Sequence, residues 1–142
     1  MRTEISGHFF EEATLGLCGA SCRGYMPWRD AFREVCKHQP RTPRPAAAKL
    51  VNEISRQSGL AVKFFTAVRS TLDQFHSVDG IFDFDGVLVT IDVTTNPSKV
   101  SGKADVIVYA DDFNNLFGLA DRIVCEYKMK AQGCATAAAG RR

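Results

Sequence analysis

Residues 78–94 read VDGIFDFDGVLVTIDVT, and they leave the backbone little choice. Two runs rich in β-branched and aromatic residues flank Asp85-Gly86, a dipeptide that favours the tight two-residue turn of a β-hairpin. The pattern predicts one strand over 78–84, a turn at DFDG and a partner strand over 87–94. Along the second strand Val87, Val89, Ile91 and Val93 share an apolar face, and Leu88, Thr90, Asp92 and Thr94 share the other. Asp83 and Asp85 sit at or beside the turn, where water explains them. Asp79 and Asp92 are different. They lie at matching distances on either side of the turn, so a tight hairpin makes them near neighbours. Two carboxylates that close repel unless a proton or a cation sits between them.

The rest of the chain predicts a single domain over 1–142, long enough for one real core. Its fold class is α/β (α+β): a central mixed β-sheet of about four strands flanked by helices. Ser6 caps a first helix running to about Gly19, with Phe9, Ala13 and Leu17 on one face and Glu11 and Glu12 in its first turns. MPWRDAFREVCKH is read as a short helix with Phe32 and Cys36 on one side, and QPRTPRP as an extended loop. A helix over 46–58 carries the stripe Ala47, Leu50, Val51 and Ile54, and Gly59 stops it. LAVKFFTAV is read as a strand, and so is ADVIVYA after the polar loop TNPSKVSGK. Asp111 or Asp112 caps a last helix whose stripe is Phe113, Leu116, Phe117, Ala120, Ile123, Val124 and Tyr127. Gly133 is its natural stop, and 134–142 reads as a disordered tail.

Charge is unevenly placed. The net charge is only +2, yet Arg23, Arg29, Arg33, Lys37, Arg41, Arg44 and Lys49 crowd the stretch 23–49, most of them in a basic insert at about 20–45, while the hairpin carries four acids and no base. A basic segment beside an acidic hairpin suits a phosphate backbone and a metal, although ordinary surface unevenness is the plainer reading. Tyr25 and Trp28, beside Arg23 and Arg29, are either core packing or platforms for stacked bases. Cys18, Cys22, Cys36 and His38 offer four soft ligands for a structural Zn²⁺, but not at a standard spacing, and a buried free thiol is the simpler reading of Cys18. Five cysteines with no secretory signal and no membrane-spanning stretch lead us to expect a reducing, cytoplasmic setting.

Taken together, these residues resemble the PD-(D/E)xK, or restriction-endonuclease-like, nuclease superfamily. In that family an aspartate begins a strand, a second acid follows on the next strand, a lysine stands two places later, and an upstream helix often carries a glutamate. Asp79 matches the first aspartate and Asp92 the second acid. Glu11 or Glu12 resembles the helical glutamate, with Glu12 the site candidate, and Asp73 precedes the metal aspartate as in several members. The match covers roughly 5–19 and 60–109. Two departures stand out: Thr94 holds the lysine position, so Lys99 or Lys103 would have to swing back, and the usual helix after the second acid is missing. The resemblance implies a divalent-metal DNA nuclease of a kind often encoded by mobile elements. Mg²⁺ or Mn²⁺ would be held by Asp79, Asp92 and the carbonyl of Val93. Arg23, Arg29, Arg33, Arg41 and Arg44 would hold the DNA backbone, and the protein would act as a possible homodimer. The alternative is a catalytically inactive nuclease-like protein that binds nucleic acid or regulates a mobile element.

Overall fold

The computed structural model describes residues 2–100 and 102–140. Its elements in chain order are α1 (Arg2–Leu15), α2 (Trp28–Lys37), α3 (Pro45–Ser58), β1 (Lys63–Thr66), α4 (Thr71–His76), β2 (Gly80–Phe84), β3 (Val87–Thr94), β4 (Val106–Tyr109), a 3-10 turn (Ala110–Asn114) and α5 (Leu116–Gly140). The strands form one mixed sheet in the order β1-β2-β3-β4. The first three run as an antiparallel meander and β4 lies parallel to β3. The chain is thus α+β, a four-stranded mixed sheet with helices on its flanks, as the pattern predicts.

The hairpin forms where Asp85-Gly86 places it. Both residues take positive φ, 55° and 104°, and Asp83 Oδ1 accepts a hydrogen bond from the Gly86 amide at 2.7 Å. Side-chain alternation then divides the sheet into two faces. Phe82, Phe84, Val89, Ile91, Val93, Val106 and Val108 pack with Leu50 and Ile54 of α3 and with Leu119, Ile123 and Val124 of α5. Ile81 and the margin of Leu88 face the other way, onto Ala31 and Val35 of α2, Leu72 of α4, and Cys18. Asp79 and Asp92 belong to this second face by the same alternation.

Three helices depart from expectation. α1 begins well before Ser6 and stops at Leu15, because Gly16 turns the chain at φ +88° and its amide bonds back to the Glu12 carbonyl at 3.0 Å. Phe9 and Leu17, expected on the core face, are 68% and 45% exposed. The inward face is one residue on. Phe10 meets Phe113 edge to face at 5.5 Å, and Thr14 is buried because its hydroxyl is satisfied by the Phe10 carbonyl at 2.7 Å. α4 stands between the expected strand LAVKFFTAV and the hairpin, where the sequence pattern shows no helix. β1 ends at Thr66, Arg69 takes φ 71°, and Ser70 caps the new helix by accepting the Asp73 amide. α5 starts at Leu116, with Asn115 Oδ1 accepting the Gly118 amide at 3.1 Å; Asp112 instead takes the Tyr109 amide and Arg122. Phe117, expected in its buried stripe, is 62% exposed. Gly133 does not end α5, which continues to Gly140 through most of the expected tail; positions 141 and 142 lie outside the described residues.

The crossover from β3 to β4 spans 95–105 with no helix among its described residues, where parallel pairs usually need a longer connection. Here the return is short. Ile91 to Thr94 pair with Val106 to Tyr109, so the chain travels back only three steps of strand, about 10 Å. Asp105 fixes the start of β4: it accepts from the Thr90 amide at 2.9 Å and from Lys130 of α5 at 2.5 Å.

Candidate metal centre

The β2–β3 register pairs Gly80 with Ile91, and one further step sets Asp79 against Asp92. The ladder is irregular at this step. The Asp79 amide donates to the Ile91 carbonyl at 2.8 Å, and the Val93 amide, instead of finding a main-chain partner across the pair, donates to Asp79 Oδ2 at 2.8 Å. The Asp79 carboxyl thus finishes the hairpin as well as facing Asp92, to which it is hydrogen-bonded. Both are almost wholly buried, at 2% and 8% exposure. A residue's N–H and C=O leave a strand on the same edge, so the Val93 carbonyl is turned toward the Asp79 edge too.

Two more acids close in from helices. Glu11 of α1 and Asp73 of α4 join Asp79, each offering an oxygen within 4.8 Å of the others. Glu12 turns elsewhere, to an ion pair with Arg69 at 2.7 Å, so the helical glutamate of the cluster is Glu11. Asp73 is brought in by the cap of α4. Its amide bonds Ser70 Oγ, and its carboxylate accepts the Arg69 amide at 2.7 Å. The sequence carries this signal as Ser-x-x-Asp, the form of a capping box.

So many acids in so little water change their protonation. Burial, then the charges of Asp73 and Asp92, push Glu11 from 4.5 up to about 7 against the opposing pull of Arg69. Burial, then the charges of Asp73 and Glu11 and the bond with Asp92, raise Asp79 far above the carboxylate range. Asp79 is therefore the protonated partner at neutral pH, donating to Asp92. The cluster holds protons because its carboxyls are buried and crowd one another.

One cation is already present. Lys99 Nζ reaches Asp92 Oδ2 at 2.5 Å, and that hydrogen bond raises the lysine's own pKa. Turn chemistry in TNPSK returns it. Thr94 Oγ1 accepts the Asn96 amide, Asn96 Oδ1 accepts the Ser98 amide, and the Asn96 carbonyl accepts the Lys99 amide at 3.2 Å. Tyr109 then holds the Lys99 carbonyl through its hydroxyl. Thr94 thus shapes the loop that brings the lysine back. Lys103 is exposed, and Asp105, two residues on, pairs with Lys130.

Other candidates fall elsewhere. Arg23, Arg29, Arg33, Arg41 and Arg44 are all exposed, with Arg33 in a long pair with Asp30 at 3.8 Å. Cys18, Cys22, Cys36 and His38 do not gather as metal ligands. Among the described residues the acidic trio is the group that does, and the Cys18 thiol instead lies 3.6 Å from the His38 carbonyl. Trp28 stacks on Phe32 at 5.3 Å within the second core, which makes it packing. His76 bonds the Met26 carbonyl at 2.8 Å. No helix among the described residues is long and apolar enough to cross a membrane.

No protein-family model, no curated protein and no solved structure matches this chain.

Proposed function

We propose that this chain is a divalent-metal DNA nuclease of the PD-(D/E)xK type, hydrolysing phosphodiester bonds. The observation that carries the reading is the buried set of carboxylates, Glu11, Asp73 and Asp79 with Asp92 hydrogen-bonded beside them. Hard oxygen donors crowded until they retain protons match the demand of Mg²⁺ or Mn²⁺. Glu11, Asp73, Asp79 and Asp92 would hold the ion, with the Val93 carbonyl on the same edge. When bound, the ion would neutralise charge on the scissile phosphate and make a nearby water more acidic. The ion pair of Lys99 with Asp92 supports reading Lys99 as the displaced motif lysine. This lysine would exchange Asp92 for a phosphate oxygen or the attacking water. The exposed arginines would neutralise backbone phosphates and add little base specificity.

A second reading has its own support. Asp79's proton and the Lys99 ammonium already compensate two of the acids, as an inactive, nucleic-acid-binding scaffold would require. Plasmid and single-stranded DNA incubated with Mg²⁺ or Mn²⁺ separate the two. The nuclease reading predicts metal-dependent cleavage that falls roughly a hundredfold or more in Asp79→Ala. Binding without cleavage by the wild type favours the scaffold.

A further inference from the structure

The loop before α2 presents an aromatic side chain in an unusual way. Tyr25 is 65% exposed, yet the residues on both sides of it are tied to α4. The Gly24 carbonyl accepts from Thr71 Oγ1 at 3.3 Å, and the Met26 carbonyl accepts from His76 Nε2 at 2.8 Å. A carbonyl can only accept, so His76 carries its proton on Nε2. The same imidazole lies against the Tyr25 ring at 5.6 Å, and Phe75, 42% exposed, meets that ring edge to face at 5.7 Å. Two exposed rings are therefore held on an anchored backbone, not left on a free loop. Ordering them has already been achieved in the fold, so a ligand stacking there loses little to conformational entropy.

Their neighbours narrow the occupant. Arg23, two residues before Tyr25 in the chain, lines the neighbouring cleft with Met26, Glu34, His38 and Thr71. Asp73 of the acidic cluster sits on the same short helix, two residues before Phe75. Two positions apart on a helix, the side chains of Asp73 and Phe75 leave α4 about 200° from each other, so the cluster and the platform lie on opposite sides of it, about a helix width of 10–12 Å apart, a span of one or two nucleotides. Aromatic faces with an adjacent cation suit an unpaired base and its phosphate. Bases stacked within a duplex do not offer their faces.

We propose that Tyr25 and Phe75 form a base-stacking platform across α4 from the acidic cluster, and that the chain takes single-stranded DNA as its ligand. The proposal builds on the nuclease reading for the site it serves, but its test does not require cleavage. Fluorescence anisotropy in EDTA would compare a labelled thymidine dodecamer, an abasic strand of the same length, and a duplex. The wild type should bind the thymidine strand more tightly than the other two. Tyr25→Ala and Phe75→Ala should each weaken that binding about tenfold and leave the abasic strand unaffected, while Tyr25→Phe keeps wild-type affinity. Both positions are exposed, and circular dichroism would establish that the variants fold. Equal affinity for thymidine and abasic strands, preference for duplex, or no DNA binding at all would overturn the proposal, the last pointing to a protein partner for the rings. Base-dependent binding without metal-dependent cleavage sinks the nuclease reading alone. Cleavage without base-dependent binding sinks this one alone.

Discussion

Asp79 performs two tasks that separate cleanly by substitution. Its Oδ2 accepts the Val93 amide and so completes the hairpin, while its raised pKa makes it neutral without a cation. Asparagine keeps an acceptor for that amide and the neutrality. Asp79→Asn should therefore fold with a midpoint temperature equal to the wild type or slightly higher in EDTA, yet lose the stabilisation that Mn²⁺ gives the wild type. Thermal melts with and without Mn²⁺ read both. The pairing of Asp79 with Asp92 was legible in the sequence because a two-residue turn fixes register and alternation fixes face. The choice between Glu11 and Glu12 was not. Adjacent helical residues differ by about 100° in direction, and only the packing of Phe10 and the pull of Arg69 on Glu12 decide which one points inward.

α4 is the element on which the site most depends and the one that sequence pattern concealed. Six residues are too few to show a helical stripe, and they directly follow a run with strand-like alternation. Ser70 and Asp73 were its only local signal. Ser70 Oγ accepts the Asp73 amide and donates to the Ala67 carbonyl at 2.6 Å, so it ties the helix to the strand before it. Ser70→Ala should cost about 1–2 kcal/mol in urea unfolding and weaken Mn²⁺ binding severalfold, because Asp73 loses its fixed position. A stability loss with unchanged Mn²⁺ affinity would remove Asp73 from the site. α1 went astray for a related reason. Thr14 reads as polar, but it is buried once its hydroxyl bonds within the helix, so the true inward face was masked and a neighbouring one looked apolar.

At the scale of the whole molecule, the sheet, its two packed faces and the parallel last strand follow from alternation and from a crossover short enough to need no helix. The acidic cluster couples this fold to pH. Between its ordinary value of 4.5 and about 7, Glu11 keeps a proton in the folded state that the unfolded chain gives up. More protons bound by the native state mean that stability falls as pH rises through that window, and Asp79 carries the decline further. Melting temperature in EDTA should thus be highest near the lower end of the window and drop by several degrees above it. Saturating Mn²⁺ should cancel the drop by replacing those protons.

Direct Mn²⁺ binding, followed by calorimetry in buffers of different ionisation enthalpy at mildly alkaline pH, tests the central claim. Wild type should take up a single Mn²⁺ per chain and release protons as it does so, and Asp79→Asn should bind at least tenfold more weakly while remaining folded. No uptake by the wild type at millimolar Mn²⁺, or equal uptake by the variant, would contradict a divalent cation among Glu11, Asp73, Asp79 and Asp92.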